Sequence, residues 1–165
     1  MKKVILSLVI VAAATFSANA QDKDAQTMKD LTFSVGVDAG IPTTSGVKGF
    51  YIGGDVQGEY AASPELGITL SAGYTSFMAK GGGSSSSIPV LGGIRYYFSD
   101  RKVYASAQAG VTIFTGGGSS TSVFTYAPGI GYYVSPNFDL LLKYQAASKD
   151  GVTSSQLALR AAYNF

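Results

Sequence analysis

The sequence predicts an all-β protein, an eight-stranded antiparallel up-and-down transmembrane β-barrel. Three observations predict it. Large apolar residues alternate with small or polar ones at period two from Leu31 to the last residue, Phe165. The breaks between alternating runs are of two kinds in turn, tight Ser/Pro/Asp turns and longer Gly/Ser/Lys loops, which is the asymmetry of barrels that cross an outer membrane. The chain also begins like an exported protein yet has no later apolar run long enough for a membrane helix. A chain of this kind enters a bilayer only as a closed barrel, because nothing else made of strands satisfies every backbone group in lipid.

Met1, Lys2 and Lys3 form a short positive region, Val4 to Phe16 is apolar, and Ala18-Asn19-Ala20 precedes polar Gln21 as a small-x-small cleavage site. Residues 1–20 are therefore expected to be a cleaved Sec signal peptide. A retained anchor is the alternative, but the apolar run is short for a span. Without Lys2 and Lys3 ten basic and ten acidic residues remain, so the formal charge falls from +2 to zero. No basic patch argues for nucleic acid. The chain has no cysteine, which excludes disulfides and thiolate chemistry. About 145 residues remain, enough for one domain.

Residues 21–30 are polar and mixed in charge, and are expected to be a short periplasmic lead-in to a barrel domain over 31–165. The first strand sets Leu31, Phe33, Val35, Val37, Ala39 and Ile41 against Thr32, Ser34, Gly36, Asp38 and Gly40. Pro42 to Lys48 is a loop. The second, Gly49 to Tyr60, sets Phe50, Ile52, Val56 and Tyr60 against Tyr51, Asp55, Gln57 and Glu59. Ala61 to Glu65 turns the chain into a third strand carrying Leu66, Ile68, Leu70, Ala72 and Tyr74. A Gly/Ser loop, Gly81 to Ser87, precedes the fourth, Ile88 to Phe98, and Ser99 to Lys102 is a turn. The fifth strand is Val103 to Phe114, and Gly116 to Thr121 is a loop. The sixth, Ser122 to Tyr133, contains Pro128, which cannot donate a ladder hydrogen bond, so a bulge or local pairing defect is expected there. Ser135 to Asn137 turns into a seventh strand from Phe138 to Ala146, and Ser148 to Thr153 leads to the closing strand, Ser154 to Phe165.

A soluble barrel of lipocalin type would also alternate, with large apolar residues inside and charges outside. The polar face argues against it, being mostly Gly, Ser, Thr and Gln. Only 13% of residues are charged, too few to coat a soluble surface. Aromatic residues gather at the turn end, with Tyr60, Tyr96, Phe98, Tyr132 and Phe138 expected to form an interfacial girdle, joined by Tyr104, Tyr133, Tyr163 and Phe165. Phe50, Phe77, Phe114 and Phe124 are expected at the other rim.

The closing stretch, with Leu159, Ala161, Tyr163 and Phe165 on one face and an aromatic last residue, resembles the final strand of bacterial outer-membrane barrels. In that family these positions are read by the barrel-assembly machinery, so the resemblance implies that Leu159, Ala161, Tyr163 and Phe165 form the assembly signal. The glycine often found within the family's signal is absent here, and Arg160 stands in that region. From Leu31 onward the chain resembles the small eight-stranded proteins related to the OmpA membrane domain, the OmpX and opacity types included. The resemblance implies residence in the outer membrane of a Gram-negative bacterium and a role in envelope integrity, surface interaction or limited permeation. Some relatives carry a peptidoglycan-binding domain, which is not expected here.

On the polar face Asp38, Asp55, Glu59 and Asp139 oppose Arg95, Lys143 and Arg160, and an eight-stranded barrel is just wide enough for side chains to fill. Strands one, seven and eight adjoin on closure, so Asp38, Lys143 and Arg160 are expected to approach one another. A polar plug that blocks conduction is expected; the competing reading is a narrow, gated pore for small solutes. No enzyme is expected, since the chain lacks histidine, a Gly-x-Ser-x-Gly elbow and a phosphate loop, and its acids lack metal-ligand spacing. No cofactor is expected. The expected partners are membrane lipids, the assembly machinery and extracellular ligands met through the loops, and the expected state is a monomer.

Overall fold

The computed structural model describes residues 31–80, 84–98, 101–116, 119–149 and 151–165. The expected signal peptide and lead-in lie outside the described residues. Eight strands follow in order: β1 Leu31–Pro42, β2 Gly49–Ser63, β3 Leu66–Ala79, β4 Ser84–Tyr97, β5 Val103–Gly116, β6 Ser119–Ser135, β7 Phe138–Lys149 and β8 Val152–Asn164. Each pairs antiparallel with the next, and β8 returns to β1 to close the barrel. Closure removes the edge strands that would otherwise leave backbone groups unpaired in lipid. At the seam Val37 faces Ala161 and Asp38 faces Arg160, while the Phe165 amide donates to the Phe33 carbonyl at 2.9 Å.

The alternation sorts side chains by size and polarity. Val37, Leu70, Ile130 and Leu159 are among the large apolar residues exposed on the outer surface, while Ser34, Gln57, Gln108, Thr125, Arg95, Asp139 and Arg160 are buried inside. This is the reverse of a soluble ligand-binding barrel, whose large apolar residues line the cavity.

Three loops are shorter than expected. Ser84 to Ser87 belong to β4, where they pair with Met78, Phe77, Ser76 and Thr75. Ser119 to Thr121 belong to β6, facing Gly116, Thr115 and Phe114. β7 reaches Lys149, and Val152 already pairs with it. Serine and threonine runs read as loop by composition, but a ladder that extends past the apolar belt satisfies their backbone groups. Gly151 takes the positive φ of 81° that the tight β7–β8 connection needs.

The irregularities sit at the turn end, where the register shifts between Ala61 and Ser63 and between Tyr133 and Ser135. At Pro128 the outcome is a pairing defect without a bulge. Pro128 stays opposite Ala107 on β5, and the β6–β7 ladder passes from Tyr126↔Ala146 to Gly129↔Lys143 in the same register. A missing N–H removes a hydrogen bond, but the chain need not add a residue to accommodate it.

Candidate functional site

Lumen-facing residues converge because period two puts every second side chain inside. The space for them comes from glycine. A Cβ at Gly36 would lie 2.7 Å from both Arg160 Nε and Asp55 Oδ1, and Gly131 lies directly against the Tyr104 ring. Small residues on β1 and β6 therefore make room for large ones from β2, β5 and β8.

The expected charges form three ion pairs. Lys143 Nζ lies 2.7 Å from Asp38 Oδ1, Arg95 Nη1 lies 3.1 Å from Glu59 Oε2, and Arg160 Nε donates to Asp55 Oδ1 and Oδ2 at 2.9 and 3.0 Å. Asp38 and Arg160 are opposite each other in the β1–β8 ladder, yet Arg160 pairs with Asp55 and leaves Asp38 to Lys143. The fourth acid, Asp139, is completely buried. It accepts from Tyr104 Oη at 2.6 Å and Asn164 Nδ2 at 2.9 Å, with Arg160 Nη1 at 3.9 Å. Arg160 Nη2 also donates to Ser34 Oγ at 3.1 Å, so this one guanidinium ties together β1, β2, β7 and β8. Charge-assisted bonds at these lengths are the strong ones, and a fork of donors suits more than one acceptor.

Closer to the turn end the lumen is filled by rings. Tyr97, Tyr104 and Leu141 form a buried apolar cluster with Tyr133 against it, and the Arg95 guanidinium lies 4.5 Å from the Tyr104 ring centre. Tyr97 donates its hydroxyl to Glu59. Tyr104 and Tyr133 thus belong to the lumen and not to the turn-end girdle, because their parity decides which way they point. Phe77 likewise stacks on lumen-facing Tyr51, with centroids 4.7 Å apart, in place of joining the loop-end rim. Phe114 shares the parity of Gln108 and Thr112, which are buried in the lumen. Ser34, Tyr97, Tyr104 and Asn164 were not singled out from the sequence as members of the network. Their parity was the available signal, but uncharged residues at lumen positions gave no sign of which would touch the charges.

Tyr60, Tyr96, Phe98, Tyr132 and Phe138 are exposed on the outer surface near the turns. Leu159 and Tyr163 of β8 and Phe165 just after it are exposed and Ala161 is half-buried, with Tyr163 and Phe165 in edge contact at 5.2 Å. Below the rings the lumen widens into a cup of about 660 Å³, lined by Glu59, Tyr97, Arg101, Tyr133 and Asn164 among others. Between the Asp38–Lys143 and Asp55–Arg160 pairs and the neutral side chains Gln57, Ser71 and Gln108 is a cavity of about 20 Å³. No group of acids or other ligating residues suited to a metal ion occurs among the described residues.

Comparison with known structures agrees with this geometry. Ail, the attachment invasion locus protein of Yersinia pestis, is 20% identical, with a TM-score of 0.59 over 84% of this chain and 100% of that one. The N-terminal β-barrel domain of Pseudomonas aeruginosa OprF is 14% identical, with a TM-score of 0.56 over 81% and 97%. The outer-membrane enzyme PagL is 16% identical, with a TM-score of 0.61 over 79% and 98%. At such identities the likeness is one of fold. No curated protein sequence matches the chain. The model of the outer membrane protein beta-barrel domain, however, matches residues 8–165, and the chain belongs to that family.

Proposed function

We propose that this protein is a structural component of the outer membrane of a Gram-negative bacterium, exported by its signal peptide, folded by the barrel-assembly machinery through Leu159, Ala161, Tyr163 and Phe165, and present as a monomer. Its lumen is plugged, and it contributes to envelope integrity and surface contact without catalysing a reaction. The observation that carries this reading is the set of ion pairs Asp38–Lys143, Glu59–Arg95 and Asp55–Arg160, which span the interior at lengths of 2.7 to 3.1 Å. An ion entering would have to break them in a medium where each broken pair leaves a buried charge. The non-catalytic reading is supported by a sequence without histidine, although PagL is an enzyme on the same fold. The loop end carries exposed Lys48, Lys80 and Lys149, a chemistry suited to anionic surface partners. Ail has been solved with the heparin analogue sucrose octasulfate.

A strain lacking the gene tests the reading. It is expected to take up bulky apolar dyes faster and to become sensitive to detergent, both restored by the wild-type gene. A barrier that stays intact while uptake of small solutes falls would contradict it and favour the second reading, a narrow pore, for which the cup of about 660 Å³ at the turn end speaks.

A further inference from the structure

The two walls of the lumen are built differently. The wall of β7, β8, β1 and β2 carries the ionic contacts at 2.7 to 3.1 Å from Lys143 and Arg160. The wall of β3, β4 and β5 is neutral apart from Arg95. Tyr97, Tyr104 and Thr112 make short hydrogen bonds there, but in the layer between Tyr104 and Thr112 the hydrogen bonds are long. Gln108 Nε2 donates to Gln57 Oε1 at 3.4 Å and to Ser71 Oγ at 3.3 Å, and Ser71 Oγ donates to the Leu91 carbonyl at 3.3 Å. Bonds of that length are weak, and an inserted water replaces them with little loss.

Beside this layer lie buried groups with no hydrogen-bond partner. Thr69 Oγ1, Ser106 Oγ, and Nε and Nη2 of Arg95 stand on its turn side, and Gln156 Oε1 of β8 borders the cavity on its loop side. On the ionic wall Asp38 Oδ1 and Arg160 Nη1 also lack a hydrogen-bond partner, but each faces an opposite charge, at 2.7 and 3.9 Å. Arg95 and Ser106 are ladder neighbours, and Thr69 faces Gly93 on the same strand as Arg95. Thr69, Arg95, Ser106 and Gln156 are all more than nine-tenths buried. Leaving such groups unpaired is costly, and more so where they are charged. Their kinds identify the occupant. Arg95 only donates, Gln156 Oε1 only accepts, and the hydroxyls do either, so the matching species must both donate and accept. A halide cannot donate, and a bare cation satisfies acceptors alone. Water does both. The cavity of about 20 Å³, bordered by Gln57, Ser71, Gln108 and Gln156 on one side and by the paired charges Asp38, Asp55, Lys143 and Arg160 on the other, exceeds the roughly 10–15 Å³ that one water needs.

We propose that a file of water starts along the β3–β5 wall, from the cup past Arg95, Thr69 and Ser106, and passes through the Gln57–Ser71–Gln108 layer, where β2 meets that wall, to the cavity bordered by Gln156 of β8. The barrel conducts water while its ion pairs exclude ions. This rests on the plugged reading of the lumen. A path one water wide cannot replace the hydration shell of an ion.

Osmotic shrinkage of proteoliposomes, followed by stopped-flow light scattering, tests the proposal, with ionic current recorded in planar bilayers from the same preparation. Heat-modifiable migration on a gel checks that each protein is folded. Wild type is expected to shrink vesicles several-fold faster than protein-free controls without passing current. Gln108→Leu, which puts an apolar chain across the layer, is expected to return shrinkage to the control rate. Should that variant fail to fold, Ser106→Ala removes a hydroxyl from the same path and is expected to slow shrinkage. Folded wild type that shrinks vesicles no faster than controls would overturn the water file and leave the plug standing. So would a folded Gln108→Leu barrel, or a folded Ser106→Ala barrel, as fast as wild type. Water flow accompanied by current would overturn both the plug and the selectivity.

Discussion

Arg160 on the closing strand reaches past its ladder neighbour Asp38 to hold Asp55 on β2 at 2.9 Å. The link crosses the β8–β1 seam, the interface that closes the barrel. Truncating the arginine leaves Asp55 buried with no cation beside it. Arg160→Ala is expected to destabilise the folded barrel by about 3–5 kcal/mol, the range for breaking one side of a buried pair. Urea unfolding in lipid vesicles measures it. In a double-mutant cycle, Asp55→Asn in the Arg160→Ala background is expected to cost much less than Asp55→Asn alone.

The glycine beneath this pair is a second point of strain. Gly36→Val puts its side chain onto Arg160 and Asp55, and overpacking of this kind costs about 1–3 kcal/mol. Gly92 offers a control, since a Cβ there meets only a carbonyl oxygen at 3.9 Å. Gly92→Val is expected to leave the unfolding midpoint nearly unchanged in the same assay.

Leu70 is 65% exposed on the outer surface, the fifth of the fourteen residues of β3. In a bilayer that position faces hydrocarbon. Leu70→Arg is expected to lower folding stability in vesicles by about 1–4 kcal/mol, the cost of a cation on the lipid face between the interface and the bilayer midplane. An equal stability for variant and wild type would mean that this face does not meet lipid.

Tyr163 and Phe165 make few demands on the lumen, since both point outward and touch each other. Phe165→Ser is therefore expected to reduce the amount of barrel assembled in cells several-fold while shifting the unassisted unfolding midpoint little. Comparison of membrane-fraction levels with unfolding in vesicles separates the two effects.

The sequence showed the fold because period two is strict along most strands. Leu31 to Ile41 and Leu157 to Phe165 fix which face is apolar, and alternating connections fix the strand count. Loop lengths were less legible. Ser84 to Ser87 carry turn composition, yet they pair with β3, since pairing depends on a partner strand that composition does not reveal. The lumen charges could be named from parity, but their partners could not. Arg160 prefers Asp55 to Asp38 because of side-chain reach and the gap at Gly36, which only the closed barrel shows. Tyr104 lies near a turn, as its place in the sequence implies, but its parity turns it into the lumen.

Single-channel recording of the refolded protein in a planar bilayer tests the plug most directly, with wild type compared against Arg160→Ala and Lys143→Ala. The plug predicts stable insertion of wild type at baseline current and openings only in the two variants. Steady conductance by wild type would contradict it.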